Sequence, residues 1–284
     1  MVSSVEYIHV QPNITLRCFI RSGEPDAPQL LFLHGFASSG FRFTEGIFNF
    51  LPQNWTLAAF DFPGFGGSAP LAGHTTLDCF RDIALALCDK LNYKSPFIFG
   101  MSMGGTVAIK VADKMPERFS GLILQGAGTW GIDRFIPSFS LFTYFLSMRA
   151  RAFPTLATWE KNIWLPRMLE AWFGKDERRA QYIAASSVIT LLDCSTDIAR
   201  LNIIPLLARL RLSTFVIDGA DKIYPGIHTP RELSYIIPQQ YFAGSALVPN
   251  ASHLVTFQNP LAAAEAVRTF VERKIQLVHS KNII

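Results

Sequence analysis

Five short, continuous apolar runs constrain the fold of this chain more than any other feature of its sequence. They occupy residues 30–33, 56–60, 96–99, 121–124 and 213–217. Apolar runs of this length without polar alternation are typical of strands that are buried on both faces of a mainly parallel sheet. Helical patterns alternate with them, so the sequence predicts an α/β protein with a doubly wound sheet and sites at the carboxyl ends of its strands.

An N-terminal hairpin and three helices complete the predicted core. Residues 5–10 and 14–20 are apolar stretches separated by Pro12 and Asn13, a pattern that predicts two antiparallel strands. Apolar side chains recur at three- and four-residue steps in three further segments, which predicts amphipathic helices at residues 76–91, 103–115 and 262–274.

The alternation of strand and helix stops in residues 129–205, which contain helical patterns, no strand pattern and many aromatic residues. We therefore predict a core domain made of residues 1–128 and 206–284, with residues 129–205 inserted as an α-helical lid. A lid over the strand ends would use its aromatic side chains for its own packing and to line an apolar pocket. The lid residues that we predict to contact substrate are Trp130, Phe139 and Phe142.

Composition and charge exclude several classes of protein. Hydrophobic residues make up 49% of the 284 residues and charged residues 17%, which predicts a globular chain. The 26 basic and 22 acidic residues are scattered without runs of like charge, so nucleic acid is not an expected partner. The cysteines lack the close pairs of a zinc site or redox dithiol, and we expect free thiols, a reducing compartment and no metal or cofactor.

No segment has the pattern of a membrane or export signal. Residues 1–11 lack the basic and apolar parts of a secretory signal. The richest apolar run, residues 135–148, is broken by polar residues and is too short to span a bilayer. We therefore expect a cytoplasmic protein without an integral membrane segment, and the sequence leaves its oligomeric state open.

A serine lies in the pattern G-x-S-x-G, as Gly100-Met101-Ser102-Met103-Gly104. This pattern marks a sharp turn that presents a nucleophilic serine between a strand and a helix. The required context is present, because residues 95–99 predict a strand and residues 106–112 a helix. The two glycines have a steric purpose, since so sharp a turn leaves no space for Cβ atoms at these positions.

With its neighbouring motifs, this turn resembles the α/β-hydrolase superfamily, in its lidded, carboxylesterase-like branch that acts on small molecules. The motifs occur in the family's order: His34-Gly35, the glycine-rich stretch from Asp61 to Ser68, the serine turn, an acid and a late histidine. The glycine-rich stretch lacks the lysine of a phosphate-binding loop and the spacing of a dinucleotide fingerprint. The resemblance covers residues from about 30 to about 270 and is weakest in the lid.

The resemblance implies a catalytic triad of Ser102, an aspartate and His253. His253 would take the serine proton and later return it to the leaving group. We favour Asp221 as the acid, although it stands two residues after Gly219 where relatives usually have three, because the downstream pattern also fits. That pattern comprises Ile223 and Pro225. The alternatives that stay open are Asp218, more distantly Asp193, and His228 as a rival histidine.

The resemblance also implies an oxyanion hole made of the main-chain N–H groups of Phe36 and Met103. Such donors are fixed by the turn before the reaction begins. We expect the side chains of Phe36, Met103 and Leu254 to line the substrate pocket.

A serine nucleophile with a histidine base indicates acyl transfer to water. The aromatic lid favours an apolar substrate, so we predict a carboxylesterase that acts on small or medium esters without a cofactor. Acyl transfer, perhydrolysis, carbon–carbon bond hydrolysis, slow turnover in a ligand receptor and a partner-binding lid remain alternatives. Relatives that cleave carbon–carbon bonds often have tryptophan where this chain has Leu254.

Charged lid residues leave two further substrate classes open. Iminopeptidases hold the substrate amine with acidic lid residues, and this lid offers four candidates: Glu160, Glu170, Asp176 and Glu177. A substrate carboxylate is the other possibility, with Arg149 and Arg151 as its candidate partners.

Overall fold

Eight described strands form one sheet at the centre of the protein, in a computed structural model that describes residues 4–173, 176–221 and 227–281. In chain order they are β1 (Ser4–Gln11), β2 (Ile14–Arg21), β3 (Gln29–Leu33), β4 (Thr56–Phe60), β5 (Phe97–Met101), β6 (Gly121–Gln125), β7 (Thr214–Gly219) and β8 (Phe242–Val248). Their spatial order is β1-β2-β4-β3-β5-β6-β7-β8. The first two strands form the expected antiparallel hairpin, β2 pairs antiparallel with β4, and all the later pairings are parallel.

Helices cover the sheet and fill the segment between β6 and β7. In chain order they are α1 (Phe41–Glu45), α2 (Leu77–Lys90), α3 (Met103–Lys114), α4 (Phe139–Ala152), α5 (Pro154–Phe173), α6 (Arg179–Ala184), α7 (Val188–Ala199), α8 (Ile204–Leu207), α9 (Pro230–Ile236), α10 (Val255–Gln258) and α11 (Pro260–Lys281). We call α4 to α7 the lid helices. None of the described helices is both long enough and apolar enough to cross a membrane.

The parallel strands are buried on both faces, as their apolar runs predict. Along β3, Leu30 and Phe32 face one hydrophobic cluster, whereas Leu31 and Leu33 face another on the opposite side of the sheet. Alternate side chains of a strand point to opposite faces, so a strand between two helical layers must be apolar throughout. The mainly parallel, doubly wound sheet expected from the sequence is therefore confirmed.

One strand was not predicted. β8 lies at the edge of the sheet and is mostly half-buried or exposed. It contains Gly244 at φ +114° and Ser245, which interrupt the apolar run that marks the other parallel strands. The three predicted helices are present, and the last of them, α11, extends beyond both of its predicted ends.

Candidate active site

Ser102 occupies the turn between β5 and α3, at the carboxyl end of a central strand. Its backbone has φ +53° and ψ −118°, a region that residues with a Cβ atom rarely adopt. The Ser102 N–H donates to the Gln125 carbonyl (2.8 Å), and the Ser102 carbonyl accepts from the N–H of Gly105 (2.9 Å). Strained backbone that neighbouring hydrogen bonds hold in place is typical of functional sites.

The glycines of the motif are required by close backbone contacts. A Cβ atom at Gly100 would lie 2.5 Å from the Gly104 carbonyl oxygen. A Cβ atom at Gly104 would lie 2.2 Å from the Leu33 carbonyl oxygen. The turn can therefore bring α3 against β3 and β5 only with glycine at both positions.

His253 lies in the loop between β8 and α10, and its side chain is 4% exposed. The side-chain amide of Gln125 donates to the His253 carbonyl (2.9 Å), and the ring packs on Gly126, where a Cβ atom would lie 2.8 Å from Nδ1. Burial and the positive charge of Arg179 lower the pKa of His253 from 6.5 to about 4. The imidazole is therefore neutral near pH 7 and able to accept a proton.

The structure places the two candidate acids after and within β7. The Asp221 N–H donates to the Ala251 carbonyl (3.0 Å), which joins this residue to the His253 loop, and the Asp221 side chain is exposed. Asp218 accepts the N–H of Gly219 (2.9 Å), and burial raises its pKa from 3.8 to about 6. Ile223 and Pro225, which follow Asp221, lie outside the described residues.

The two more distant alternatives contact other partners. Asp193 is buried in α7 and accepts hydrogen bonds from Arg151 Nη2 (2.9 Å), Ser147 Oγ (2.5 Å) and the Thr75 N–H (2.9 Å). His228 contacts Thr129 Oγ1 through Nδ1 (2.5 Å) and accepts from the Trp130 indole through Nε2 (3.3 Å). These contacts attach both residues to the lid segment.

Phe36 and Met103, the residues expected at the oxyanion hole, line the same cavity as Ser102. Met103 is the first residue of α3, and the first N–H groups of a helix have no partner within it. Phe36 follows His34, a buried residue whose Nδ1 donates to the Gly35 carbonyl (2.8 Å) and whose Nε2 accepts from Phe62 N–H (3.0 Å). His34 thus holds the loop that carries Phe36, in agreement with a structural role for its side chain.

Asp61 has a similar structural role in the glycine-rich stretch. Its carboxylate is buried and accepts hydrogen bonds from Ser39 Oγ (2.5 Å) and from the N–H groups of Gly40 and Gly67 (both 2.8 Å). Arg17 pairs with the same carboxylate at 2.7 Å. Asp61 therefore joins two loops at the carboxyl ends of β3 and β4.

A cavity of about 640 Å³ lies over Ser102 and His253, and both residues line it. This volume is within the usual range for a small-molecule site. Most of its lining is apolar, and five of the residues expected to contact substrate are part of it: Phe36, Met103, Trp130, Phe139 and Leu254. Phe142 is not in the described lining; one helical turn beyond Phe139, it lies on the outer surface of α4 with 57% of its side chain exposed.

Of the three charged residues in the cavity wall, the sequence indicated only Asp176 and missed the two arginines. Arg42, Asp176 and Arg179 line one corner of the cavity. Arg149 and Arg151, the arginines considered from the sequence, instead pair with Glu160 and Asp193. Among the described residues, no group of three or more His, Cys, Asp or Glu side chains could hold a metal ion.

Comparison with known proteins identifies the family of this chain. The sequence profile of the Alpha/beta hydrolase family matches residues 30–266, so the chain belongs to this family. An esterase from Thermogutta terrifontis with malate bound superposes with a TM-score of 0.73 at 22% identity, over 95% of this chain and 99% of that one. An enol-lactonase from Burkholderia xenovorans gives a TM-score of 0.72 at 20% identity, over 94% and 100% of the two chains.

Curated relatives match over a shorter region. A probable proline iminopeptidase from Leptolyngbya boryana is 37% identical over 109 residues, which are 37% of this chain and 33% of that protein. A 2-succinyl-6-hydroxy-2,4-cyclohexadiene-1-carboxylate synthase from Escherichia coli is 32% identical over 109 residues, 37% of this chain and 41% of that protein. The chain thus matches about a third of the length of the first relative and about two fifths of the second, and their names describe different activities.

Proposed function

We propose that this protein is a serine hydrolase that cleaves small or medium apolar carboxylic esters through an acyl-enzyme intermediate. Ser102 is the nucleophile, His253 the general base and Asp221 the acid. The observation that carries the proposal is the shared position of the strained Ser102 turn and the buried, neutral His253 in the wall of one largely apolar cavity.

In the first half of the reaction, Ser102 Oγ attacks the ester carbonyl carbon while His253 accepts the hydroxyl proton. The negative charge that develops on the carbonyl oxygen is stabilised by the N–H groups of Phe36 and Met103. The carbon–oxygen bond of the alcohol then breaks, and His253 returns the proton to the departing alkoxide. The products of this half are a free alcohol and an acyl group on Ser102.

In the second half, water replaces the alcohol. His253 takes a proton from the water as its oxygen attacks the acyl carbon, and the same N–H groups stabilise the second tetrahedral intermediate. Cleavage of the bond to Ser102 Oγ releases the carboxylic acid and restores the serine hydroxyl. A carboxylate facing the imidazole stabilises its charged form in both halves, which is the role we assign to Asp221.

The charges in the cavity disfavour an amine substrate like that of the iminopeptidases. Asp176 is the one acidic residue in the described lining, and its carboxylate already pairs with Arg42 at 2.8 Å. Arg179 adds a second positive charge to the same corner. A protonated amine would meet a net positive charge, so we place ester hydrolysis ahead of iminopeptidase activity.

Hydrolysis of p-nitrophenyl butyrate tests the proposal. We expect Ser102→Ala to lower kcat by at least about 10⁴-fold, because removal of a triad nucleophile typically costs about 10⁶. A fluorophosphonate should modify the wild-type protein on the peptide that contains Ser102, as detected by mass spectrometry. Asp221→Asn should lower kcat by about 10³–10⁴-fold, because the acid orients the histidine and stabilises its charged form.

Ser195→Ala provides a matched control for labelling. Ser195 lines the same cavity, but its hydroxyl donates to the Leu191 carbonyl (2.8 Å) within α7. This variant should retain the fluorophosphonate adduct, whereas Ser102→Ala should lose it. Modification of another serine, or esterase turnover that survives Ser102→Ala, would reject the assignment.

We also propose a reducing, cytoplasmic location, which the four free cysteines support.

A further inference from the structure

The charged corner of the cavity carries more positive than negative charge. Arg42 Nη1 lies 2.8 Å from Asp176 Oδ2, and Arg179 Nη2 lies 4.0 Å from the same oxygen. All three side chains are nearly buried, with exposures of 11% for Arg42 and 8% for the other two. No other described residue of the lining is charged at neutral pH, so two guanidinium groups face one carboxylate.

The two arginines come from different layers of the fold. Arg42 belongs to α1 beside the sheet, whereas Arg179 is the first residue of α6 in the lid. The Arg42 guanidinium lies over the Phe257 ring at 4.3 Å and over the Tyr182 ring at 5.2 Å, which holds the planar group in position. The corner is therefore partly organised before any ligand binds.

A positive charge that exceeds the nearby negative charge costs free energy in an apolar cavity, because it has lost its contact with water. Charged groups that are removed from water need a partner of opposite charge, and one carboxylate does not balance two guanidinium groups. A guanidinium presents parallel N–H donors that match the two oxygens of a carboxylate. A second carboxylate is therefore the ligand group whose charge and geometry best complete this corner.

Arg179 also lines the same cavity as Ser102 and His253. Its positive charge, after the larger effect of burial, contributes to the lowered pKa of His253. The same charge opposes formation of the imidazolium that ester hydrolysis requires. An anion bound at Arg179 would offset this repulsion, so occupation of the corner would favour proton transfer to His253.

We propose that Arg42, Asp176 and Arg179 form a subsite for a carboxylate of the substrate, and that the preferred substrates are esters of apolar dicarboxylic acids with one acid group free. This proposal rests on the ester hydrolysis proposed above and adds its substrate class. The apolar wall holds the chain between the two ends of the substrate, while Ser102 attacks the ester end.

A purely structural role for the same ion pairs has a different consequence. Arg42 and Asp176 join α1 to the lid, as do the nearby Arg178 and Glu45, which form an ion pair. If these contacts only hold the lid in place, their loss should affect charged and neutral esters equally. If the corner binds a carboxylate, their loss should change the preference between the two.

The test compares matched substrates with the full-length protein. One series consists of p-nitrophenyl monoesters of dicarboxylic acids from succinate to suberate, and the other of the same compounds with the free acid masked as a methyl ester. At the best chain length we expect kcat/KM for the acid to exceed that for the masked ester at least tenfold. Arg179→Met should lower this ratio by about 10–100-fold, the usual effect of losing a charge-assisted hydrogen bond.

Two further variants distinguish a carboxylate-binding role of these residues from a role in holding the lid in place. Asp176→Asn removes the negative charge that competes with the substrate carboxylate, so the ratio of kcat/KM for the acid to that for the masked ester should rise. If Asp176 only holds the lid, kcat/KM should fall equally for both substrates. Arg178→Met is the matched control, because Arg178 is the adjacent arginine and pairs with Glu45 outside the described lining. It should leave the ratio unchanged. Equal preference for acid and masked ester at every chain length would overturn the subsite.

A binding measurement makes the result independent of turnover. By calorimetry, the Ser102→Ala protein should bind monomethyl adipate at least tenfold more tightly than dimethyl adipate, and addition of Arg179→Met should remove the difference. If the wild-type protein hydrolyses no ester but this difference is found, the proposed function fails and the subsite stands. If Ser102-dependent hydrolysis is found but the two adipates bind equally, the subsite fails and the hydrolase stands.

Discussion

At the scale of single residues, the strained backbone of Ser102 gives the first prediction. Glycine adopts φ +53° and ψ −118° without a Cβ penalty, whereas serine and alanine do not. We therefore expect Ser102→Gly to be more stable to urea than Ser102→Ala by about 1 kcal/mol, although both variants should be inactive.

A serine in ordinary helical backbone serves as the control for this comparison. Ser195 lies within α7, where glycine is about 1 kcal/mol less favourable than alanine. Ser195→Gly should therefore be less stable than Ser195→Ala, the reverse of the order at Ser102. The same order at both positions would show that the Ser102 turn stores no strain.

Asp218 gives a second prediction, which concerns pH. Burial raises its pKa from 3.8 to about 6 in the folded protein, so its contribution to stability decreases as the pH rises from about 4 to about 6. Asp218→Asn should raise the free energy of unfolding by about 1–3 kcal/mol at pH 8, with little change at pH 3.5. The asparagine oxygen can still accept the N–H of Gly219, the bond that Asp218 makes.

Asp218→Asn also tests whether Asp218 or Asp221 is the acid of the catalytic triad. Asp221 is exposed, so Asp221→Asn should change stability little at either pH while lowering kcat. Asp218→Asn should keep most of the esterase activity if Asp221 is the acid. Loss of activity in Asp218→Asn with full activity in Asp221→Asn would exchange the two assignments.

The sequence indicates Ser102 and His253 because each lies in a local pattern that a loop of fixed geometry requires. Asp221 is harder to assign, since its spacing from Gly219 is one residue shorter than in relatives and nothing local separates it from Asp218. The arginine corner has no local pattern, because Arg42 and Asp176 are 134 residues apart in the chain. Only the packed lid brings them together.

At the scale of secondary structure, the lid depends on a buried charge in α7. Asp193 is completely buried and joins α7 to Ser147 and Arg151 of α4 and to the Thr75 N–H before α2. Burial alone would raise the pKa of Asp193, but hydrogen bonds from Arg151, Ser147 and the Thr75 N–H hold it below 3.8. This carboxylate therefore stabilises the fold above pH 4, and its contribution is lost as the pH falls through the lowered pKa.

Asp193→Asn is the third prediction. The variant should lose about 2–4 kcal/mol of unfolding free energy at pH 7, because Arg151 keeps its charge without a buried partner. The loss should shrink as the pH falls through the lowered pKa of Asp193. Asp197→Asn is the control in the same helix, since an amide oxygen can replace the carboxylate that accepts the Leu77 N–H (2.7 Å). Equal losses in the two variants would contradict a specific role for Asp193.

Elements that are buried on both faces were predictable from sequence, and elements at the margins were not. β3 and β5 are continuous apolar runs because helices cover both their faces. β8 is paired on one side only and carries a glycine and a serine, so its sequence resembles a loop. In the lid, packing against neighbouring helices decides which aromatic side chains face the cavity. Aromatic content alone therefore could not distinguish Phe139, which lines the cavity, from Phe142, which is exposed.

At the scale of the whole molecule, the reactivity of the free thiols can show whether the lid unfolds before the sheet. Burial raises the pKa of Cys18 and Cys88 to about 12 and that of Cys194 well above 9. Cys18 lies on β2 between two neighbouring strands, Cys88 on α2, and Cys194 on α7 in the lid. A thiolate reacts with aromatic disulfides and a buried thiol does not, so each of these cysteines should react only when its own surroundings open.

The fourth prediction follows from this distribution. In the native protein at pH 8, an aromatic disulfide should modify Cys79, the one partly exposed cysteine, quickly and the other three slowly. At urea concentrations below the main transition, Cys194 should react before Cys18, because opening of the lid need not break the strand pairs on either side of β2. Peptide mass spectrometry at successive times gives the order. Simultaneous modification of Cys194 and Cys18 would mean that the lid and the sheet unfold as one cooperative unit. The proposed carboxylate subsite would then lie between two layers that do not separate at urea concentrations below the main transition.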